Sequence, residues 1–175
     1  SGGGSTDWGS GQGGVMIAGV ETQTSGQRFR NFFRAAPVGV YLYQLQPDGR
    51  LVLVDSNPTA DRITGINNQK IIGKTIEEIF PLITTTELPE RYRLAASNGV
   101  PYQTRHFSYI DDRIDGLFEI DAFQTAPNEV AIVFRDITED QKNEAERLES
   151  HQRMQDALDR EKQAVAQLES VIREL

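Results

Sequence analysis

The stretch VGVYLYQLQPDGRLVLVDSN, residues 38–57, switches the hydrophobic period of the chain to two and so decides the fold. Two runs rich in Val, Leu and Tyr flank Pro47-Asp48-Gly49. Proline presets φ and glycine tolerates a positive φ, so these three residues predict a tight turn and the runs a β-hairpin. Working downstream, NPTADRITG (57–65) carries helix signals: Asn57 as N-cap, Pro58 in the first position and Gly65 as the stop. GKTIEEIF (73–80) adds a capping box of Thr75 and Glu78, ended by Pro81. PERYRLAASNG (89–99) predicts a further helix, with Pro at its start and Gly past its end. Three strand signals follow, PYQTRHFSYI (101–110), GLFEIDAFQTA (116–126) and NEVAIVFRDI (128–137), joined by Asp/Gly and Pro-Asn turns. Two strands, several short helices and three strands predict an α+β fold, a five-stranded antiparallel sheet with the helices gathered on one face.

Upstream of the hairpin, residues 1–14 are rich in Gly and Ser and predict a disordered leader, a linker or an appended segment. VMIAGV (15–20) is too short to assign. In QRFRNFFRAAP, Phe29, Phe32, Phe33 and Ala36 fall at helical spacing, which predicts an amphipathic helix within a flanking segment spanning 15–36. The 175 residues suit one ordinary domain with an extension. A net charge of −8 disfavours binding to phosphate backbones, so no nucleic-acid partner is expected. The absence of cysteine excludes disulfides, thiolate metal sites and Cys nucleophiles. No apolar run approaches the roughly 18 residues of a membrane span, so this segment is expected to make no membrane contact and to be cytoplasmic.

Residues 138–175 contain neither Gly nor Pro, and Thr138 with Gln141 supplies a capping box where the last strand stops. His151, Leu158, Val165 and Ile172 recur every seven residues, as do Met154, Glu161, Leu168 and Leu175. Ala145 and Leu148 sit on another phase, as a stutter or stammer would produce. A seam this narrow on so polar a helix needs a partner, most simply a second copy in parallel, with Phe29, Phe32 and Phe33 joining the dimer seam. The alternative is a solvated single helix, or one folded back on its own domain. The heptads run to the final residue without a stop signal, so the parent protein is expected to continue.

With these elements in place, FFRAAPVGVYLYQLQPDGRLVLVDSNPTADRITGINNQKIIGKTIEEIFP (32–81) resembles the first half of a PAS sensory domain: an aromatic, Pro-x-Gly, a D-G turn, an Asn opening a small helix, then I-G-K. FRDITED (134–140) is similar to the Asp-Ile-Thr ending of PAS domains that lead into a signalling helix. The resemblance implies a PAS domain over 37–137 and a signalling coiled coil over 138–175. It also implies a sensory and dimerisation module of a bacterial signal-transduction protein, a histidine kinase before a diguanylate cyclase. A ligand-free protein-interaction module stands as the alternative. A stiff strand-to-helix junction at Asp136 and Thr138 would relay changes in the sheet to the helix, with Thr138 as cap and Asp136 paired with an Arg or a turn amide.

PAS pockets lie between the inner sheet face and the short helices. Alternation puts Tyr102, Thr104, His106 and Ser108 on one face, Arg105, Phe107 and Tyr109 on the other. The first set inward, with Phe118 and Ile120 as further pocket candidates, would suit a polar or aromatic small molecule. The second set inward would leave a mainly aromatic core. His106 is the one histidine of the expected core, either a ligand or pH contact or a structural or surface residue. The resemblance disfavours haem, because PERYRLAASNG lacks the axial His that haem-binding relatives carry there. A covalent flavin adduct is disfavoured likewise, because GINNQKIIGK (65–74) has no Cys; non-covalent flavin stays open and the cofactor is unknown. Asp111, Asp112 and Asp115 read as a turn rather than a metal site. No catalytic constellation has supporting context, so the segment is expected not to be an enzyme by itself.

Overall fold

The structure, a computed structural model, describes residues 13–174, with their side chains from Thr24 onward. Helix α1 (Gly13–Ala35) precedes the hairpin of β1 (Gly39–Leu45) and β2 (Leu51–Ser56). Next come α2 (Pro58–Thr64), a 3-10 turn at Asn68–Lys70, α3 (Ile76–Ile79), a second 3-10 turn at Pro81–Thr85 and α4 (Leu88–Asn98). Strands β3 (Tyr102–Ile110), β4 (Asp115–Ala126) and β5 (Glu129–Asp136) then run into α5 (Thr138–Arg173). Local chemistry accounts for the boundaries. Gly49 takes φ +86° in the hairpin turn and Gly65 takes φ +67° at the end of α2. At α3 the capping box closes: the Thr75 hydroxyl accepts the Glu78 N–H at 3.3 Å, and the Glu78 carboxylate accepts the Thr75 N–H at 2.7 Å.

All strands pair antiparallel in the order β2-β1-β5-β4-β3, which puts the first and last strands side by side in the middle. That pairing sets Gly39 opposite Phe134. A Cβ on Gly39 would lie under 3.0 Å from the Phe134 ring, so the missing side chain is what admits the aromatic face. Inward-facing Tyr41, Tyr43, Phe118, Ile120, Ala122, Val130, Ile132 and Phe134 pack with Ile76, Ile79, Leu88, Tyr92, Ala95 and Ala96 of the helices in one core.

Asn57 is fully buried, and its amide ties three segments together. Its Oδ1 accepts the N–H groups of Val40 (2.9 Å) and Ala60 (3.0 Å), capping α2, while its Nδ2 donates to the carbonyls of Phe33 (3.1 Å) and Val38 (2.8 Å). Thr59 adds a hydroxyl bond to the Ala36 carbonyl at 2.7 Å. The end of α1 is thereby fastened to the domain.

Three expectations are corrected and one alternative is set aside. The predicted leader has its last two residues, Gly13 and Gly14, inside α1; residues 1–12 lie outside those described, and the unassigned island 15–20 belongs to the same helix. Phe33, expected in the dimer seam, is buried against its own domain, because α1 packs on α2 through that face; Phe29, stacked on it at 5.9 Å, and Phe32 are exposed. Thr138 does not cap α5. Ile137 holds the N-cap position with no side-chain cap bond, and the Thr138 hydroxyl is bonded instead to the Leu117 N–H and the Asp136 carboxylate. Nor does α5 fold back: none of its described residues is buried along 36 residues, about 54 Å at 1.5 Å per residue. Met154, Leu158, Val165, Leu168 and Ile172 are all exposed on it, and Leu175 lies outside the described residues.

Candidate functional site

Between the inner sheet face and α3 and α4 lies a cavity of about 70 Å³. Its wall is built mainly of rings, from Tyr41, Tyr43, Phe80, Tyr92, Tyr109, Phe118 and Phe134, with Ile76, Ile83, Leu88, Ile114, Ile120 and Ile132 between them and Thr64 as the remaining member. No charged side chain takes part. The rings meet in stacked and edge contacts, Tyr41 to Phe134 at 5.1 Å, Phe80 to Tyr109 at 5.8 Å and Phe118 to Phe134 at 6.5 Å, so six of the seven form one connected aromatic cluster. Burial pushes the Tyr41 phenol up to about 12 and those of Tyr43 and Tyr92 well above their ordinary range, so all three stay neutral at physiological pH. The Tyr41 and Thr64 hydroxyls pair at 3.3 Å. The Tyr43 hydroxyl, in a side chain only 1% exposed, has no hydrogen-bond partner among the described residues.

Of the six expected pocket residues, Phe118 and Ile120 line this cavity. Tyr102 and Thr104 face inward but half-buried at its edge, with the Tyr102 hydroxyl donating to Glu87 at 3.1 Å and the Arg91 guanidinium 5.5 Å over the ring. His106 and Ser108 are exposed and line no part of it, contrary to expectation. The cause is a β-bulge: the β3–β4 register passes from Thr104↔Ile120 to Phe107↔Phe118, so that Arg105 and His106 together oppose Glu119. One extra residue inverts the alternation, and from there Phe107 and Tyr109 turn inward. Tyr41 and Tyr43 were not foreseen as pocket residues, although the alternation in VYLYQL sets both on one face.

Beside the cavity, the β3–β4 turn is clasped to α3. The Arg113 guanidinium donates to the Ile79 carbonyl (2.7 Å) and to Asp111 Oδ2 (3.0 Å), which also accepts the Tyr109 hydroxyl (3.1 Å). Asp111 Oδ1 accepts the backbone N–H groups of Arg113 and Ile114, each at 2.8 Å. Burial of Asp111 opposes its ionisation, but these bonds outweigh it and hold the carboxyl below its usual range. Since Phe80 and Ile114 both line the cavity, the clasp fixes the position of one of its corners.

At the same end of the sheet as the β3–β4 turn, Asp136 and Thr138 join β4, β5 and α5. Asp136 Oδ1 accepts the N–H (2.9 Å) and the hydroxyl (2.6 Å) of Thr138, whose Oγ1 in turn accepts the Leu117 N–H (2.9 Å). The Ile137 N–H donates to the Leu117 carbonyl at 2.8 Å. On the outer sheet face a chain of charges leads the same way: Arg105 to Glu119 (3.8 Å), Glu119 to Arg135 (2.9 Å) and Arg135 to Asp140 in the first turn of α5 (3.4 Å). Exposed pairs of this kind are screened by solvent and contribute little, so the junction depends chiefly on its backbone bonds.

The wall offers no imidazole, thiolate or thioether to a haem iron, burial holds the phenols of Tyr41, Tyr43 and Tyr92 in the neutral form, about 70 Å³ does not admit a porphyrin, and there is no cation for a flavin phosphate, so these residues as arranged fit neither group. No described helix is long and apolar enough to cross a membrane.

A family model described as PAS fold matches residues 33–142. No curated protein sequence matches the chain. Among solved structures, a domain of a sensory box sensor histidine kinase/response regulator from Geobacter sulfurreducens is similar at 13% identity and a TM-score of 0.52, over 66% of this chain and 96% of that one. A LOV protein from Rhodobacter sphaeroides is similar at 17% identity and a TM-score of 0.53, over 66% and 68%. The PAS domain of a protein from Colwellia psychrerythraea is similar at 16% identity and a TM-score of 0.50, over 66% and 98%.

Proposed function

Since the chain belongs to the PAS fold family, we propose that it is the sensory and dimerisation module of a bacterial signal-transduction protein of the sensor histidine kinase type. The state of its core cavity passes through the Asp136–Thr138 junction into α5, and two copies of α5 pair as a parallel coiled coil leading to an output domain. The observation that carries this reading is the continuity of the join. Strand β5 ends at Asp136 and α5 begins at Thr138, bonded to β4 on both sides of the Leu117 peptide group, with no glycine to absorb a movement. A helix that leaves the domain with its heptad Met154, Leu158, Val165, Leu168 and Ile172 unburied supports a second copy as its partner. The Geobacter neighbour, a domain of a sensor histidine kinase/response regulator, is a parent of this kind.

Light scattering of the full chain and of a chain ending at residue 146 tests the assembly: the first is expected at dimer mass and the second at lower mass. An unchanged monomer mass in both sinks the coiled coil. Native mass spectrometry and an absorbance spectrum of the purified protein test for a bound small molecule. A second reading, a ligand-free interaction module, is favoured by the small volume of the cavity. It gains if nothing co-purifies and no metabolite shifts the melting temperature.

A further inference from the structure

We infer that Glu161 fixes the register of the paired α5 helices by meeting Lys162 of the partner subunit across the seam. This rests on the coiled-coil reading above and adds to it the residue pair that decides how the two copies align. With the heptad lettered a to g, His151, Leu158, Val165 and Ile172 occupy a, and Met154, Glu161, Leu168 and Leu175 occupy d. β-Branched Val165 and Ile172 at a, with Leu168 at d, suit two parallel strands. Glu161 is the exception, an acid in the middle of the apolar stripe. Three and four residues away on either side stand Ala157, Leu158, Ala164 and Val165, so its own helix supplies no cation at the spacings where side chains meet. Elsewhere on α5 acids are satisfied in that way, Glu144 by Arg147 at 2.7 Å and Glu149 by Arg153.

Exposed on a single helix, Glu161 is hydrated and needs no partner. Covered by a second copy, it gives up part of that water, and a counter-charge has to replace it. In a parallel pair, each d side chain packs beside the d and e residues of the facing helix. With the two copies in register, that e residue is the partner's Lys162, and the two-fold symmetry makes the contact twice. Leu158, Glu161, Lys162 and Val165 line one shallow groove along α5, so the carboxylate and the ammonium both lie at the seam. A slip of one heptad, about 10 Å at 1.5 Å per residue, sets Glu161 of one copy beside Glu169 of the partner subunit and leaves the other Glu161 beside Gln155. The first neighbour repels it and the second is uncharged. Among Gln155, Lys162 and Glu169, the e residues of this stretch, Lys162 is the cation, so the in-register alignment alone neutralises both acids. A single polar seam position specifies register in this manner, at a cost in stability.

Two variants of the full chain, each reversing one charge, test the contact by sedimentation equilibrium. Glu161→Lys and Lys162→Glu each set like charges against one another in a homodimer, and each is expected to weaken dimerisation about tenfold or more. Mixed together they restore opposite signs at both contacts, so heterodimers of near wild-type affinity are expected. Asp159→Lys and Arg160→Glu make the same changes of charge at b and c, away from the seam, and are expected to show neither the loss nor the preference for mixing. Glu161→Leu removes the polar position: the dimer is expected to tighten about tenfold, and to lose its single alignment. A nitroxide on Ser170→Cys, the one thiol in a chain without cysteine, reads that alignment as the distance between copies, narrow in the otherwise wild-type chain and spread over slipped registers with Glu161→Leu. Homodimers that keep their affinity, or a mixing preference no greater than that of the b and c pair, overturn the contact while leaving the coiled coil. A distance that stays narrow with Glu161→Leu overturns the register role. A wild-type chain at monomer mass removes the coiled coil itself, and this contact with it.

Discussion

The Leu117 N–H of β4 donates to the hydroxyl of Thr138, the first residue of α5, at 2.9 Å, so the sheet holds the helix by a side chain as well as by the chain itself. Thr138→Ala removes that acceptor together with the hydroxyl bond to Asp136, and is expected to cost about 1 kcal/mol in urea denaturation. Thr138→Ser keeps both bonds and is expected to cost less. Hydrogen exchange gives the local readout: the Leu117 amide should lose protection in the alanine variant, and unchanged protection would show the bond to be unimportant.

Asn57→Ala is expected to be far more damaging. It strands the buried Val40 N–H and the carbonyls of Phe33 and Val38 and uncaps α2, a loss of about 3–5 kcal/mol. Its signature would be faster amide exchange at the end of α1 as well as in α2. A loss below about 1 kcal/mol would mean that water replaces the amide.

Arg113→Ala opens the clasp between the β3–β4 turn and the Ile79 carbonyl. A stability loss of about 1 kcal/mol is expected, with faster exchange around Phe80, since the lost bonds are only partly shielded from solvent. The clasp also has a pH signature. Because Asp111 is held below its usual value in the folded state, its contribution is present above the ordinary carboxylate pKa of about 4 and disappears as pH falls through the lower folded value. Stability of the wild type should thus fall on acidification below about pH 4 more steeply than that of Asp111→Asn.

At the alkaline end all five tyrosines act together, since burial is the first cause of an upward shift in each. A phenol whose folded value lies above its unfolded value of about 10 stabilises fully below pH 10 and ceases to do so as pH rises through the folded value, about 12 for Tyr41. For Tyr41 alone the change is on the order of 2 kcal/mol. Phenolate absorbance should stay low past pH 10 and then rise together with loss of the circular dichroism signal. A smooth, non-cooperative titration centred at pH 10 would show that the cavity wall is open to solvent.

What could be read in the sequence was what is local. Turn and cap chemistry act within a few residues, which is why Gly49, Asn57, Gly65 and the Thr75–Glu78 box stand where QPDGR, NPTADRITG and GKTIEEIF put them. The bulge at Arg105 and His106 left no such mark, because it depends on which residue of β4 stands opposite, and half of the expected β3 pocket turned outward with it. Alternation had already set Tyr41 and Tyr43 on a common face. Only the pairing of β1 with β5 made that face the centre of the cavity wall. Thr138 had the right residue type for a cap, yet its hydroxyl is bonded to the Leu117 N–H and the Asp136 carboxylate, and the Gln141 N–H goes to the Ile137 carbonyl.

The neighbouring position of β1 and β5 in mid-sheet has a consequence for biosynthesis. While a ribosome is still making β3 and β4, the β1–β2 hairpin has one long flank of unpaired amides and carbonyls. The domain cannot close until its last strand emerges, so the nascent chain is exposed to misassociation until Asp136 has cleared the exit tunnel.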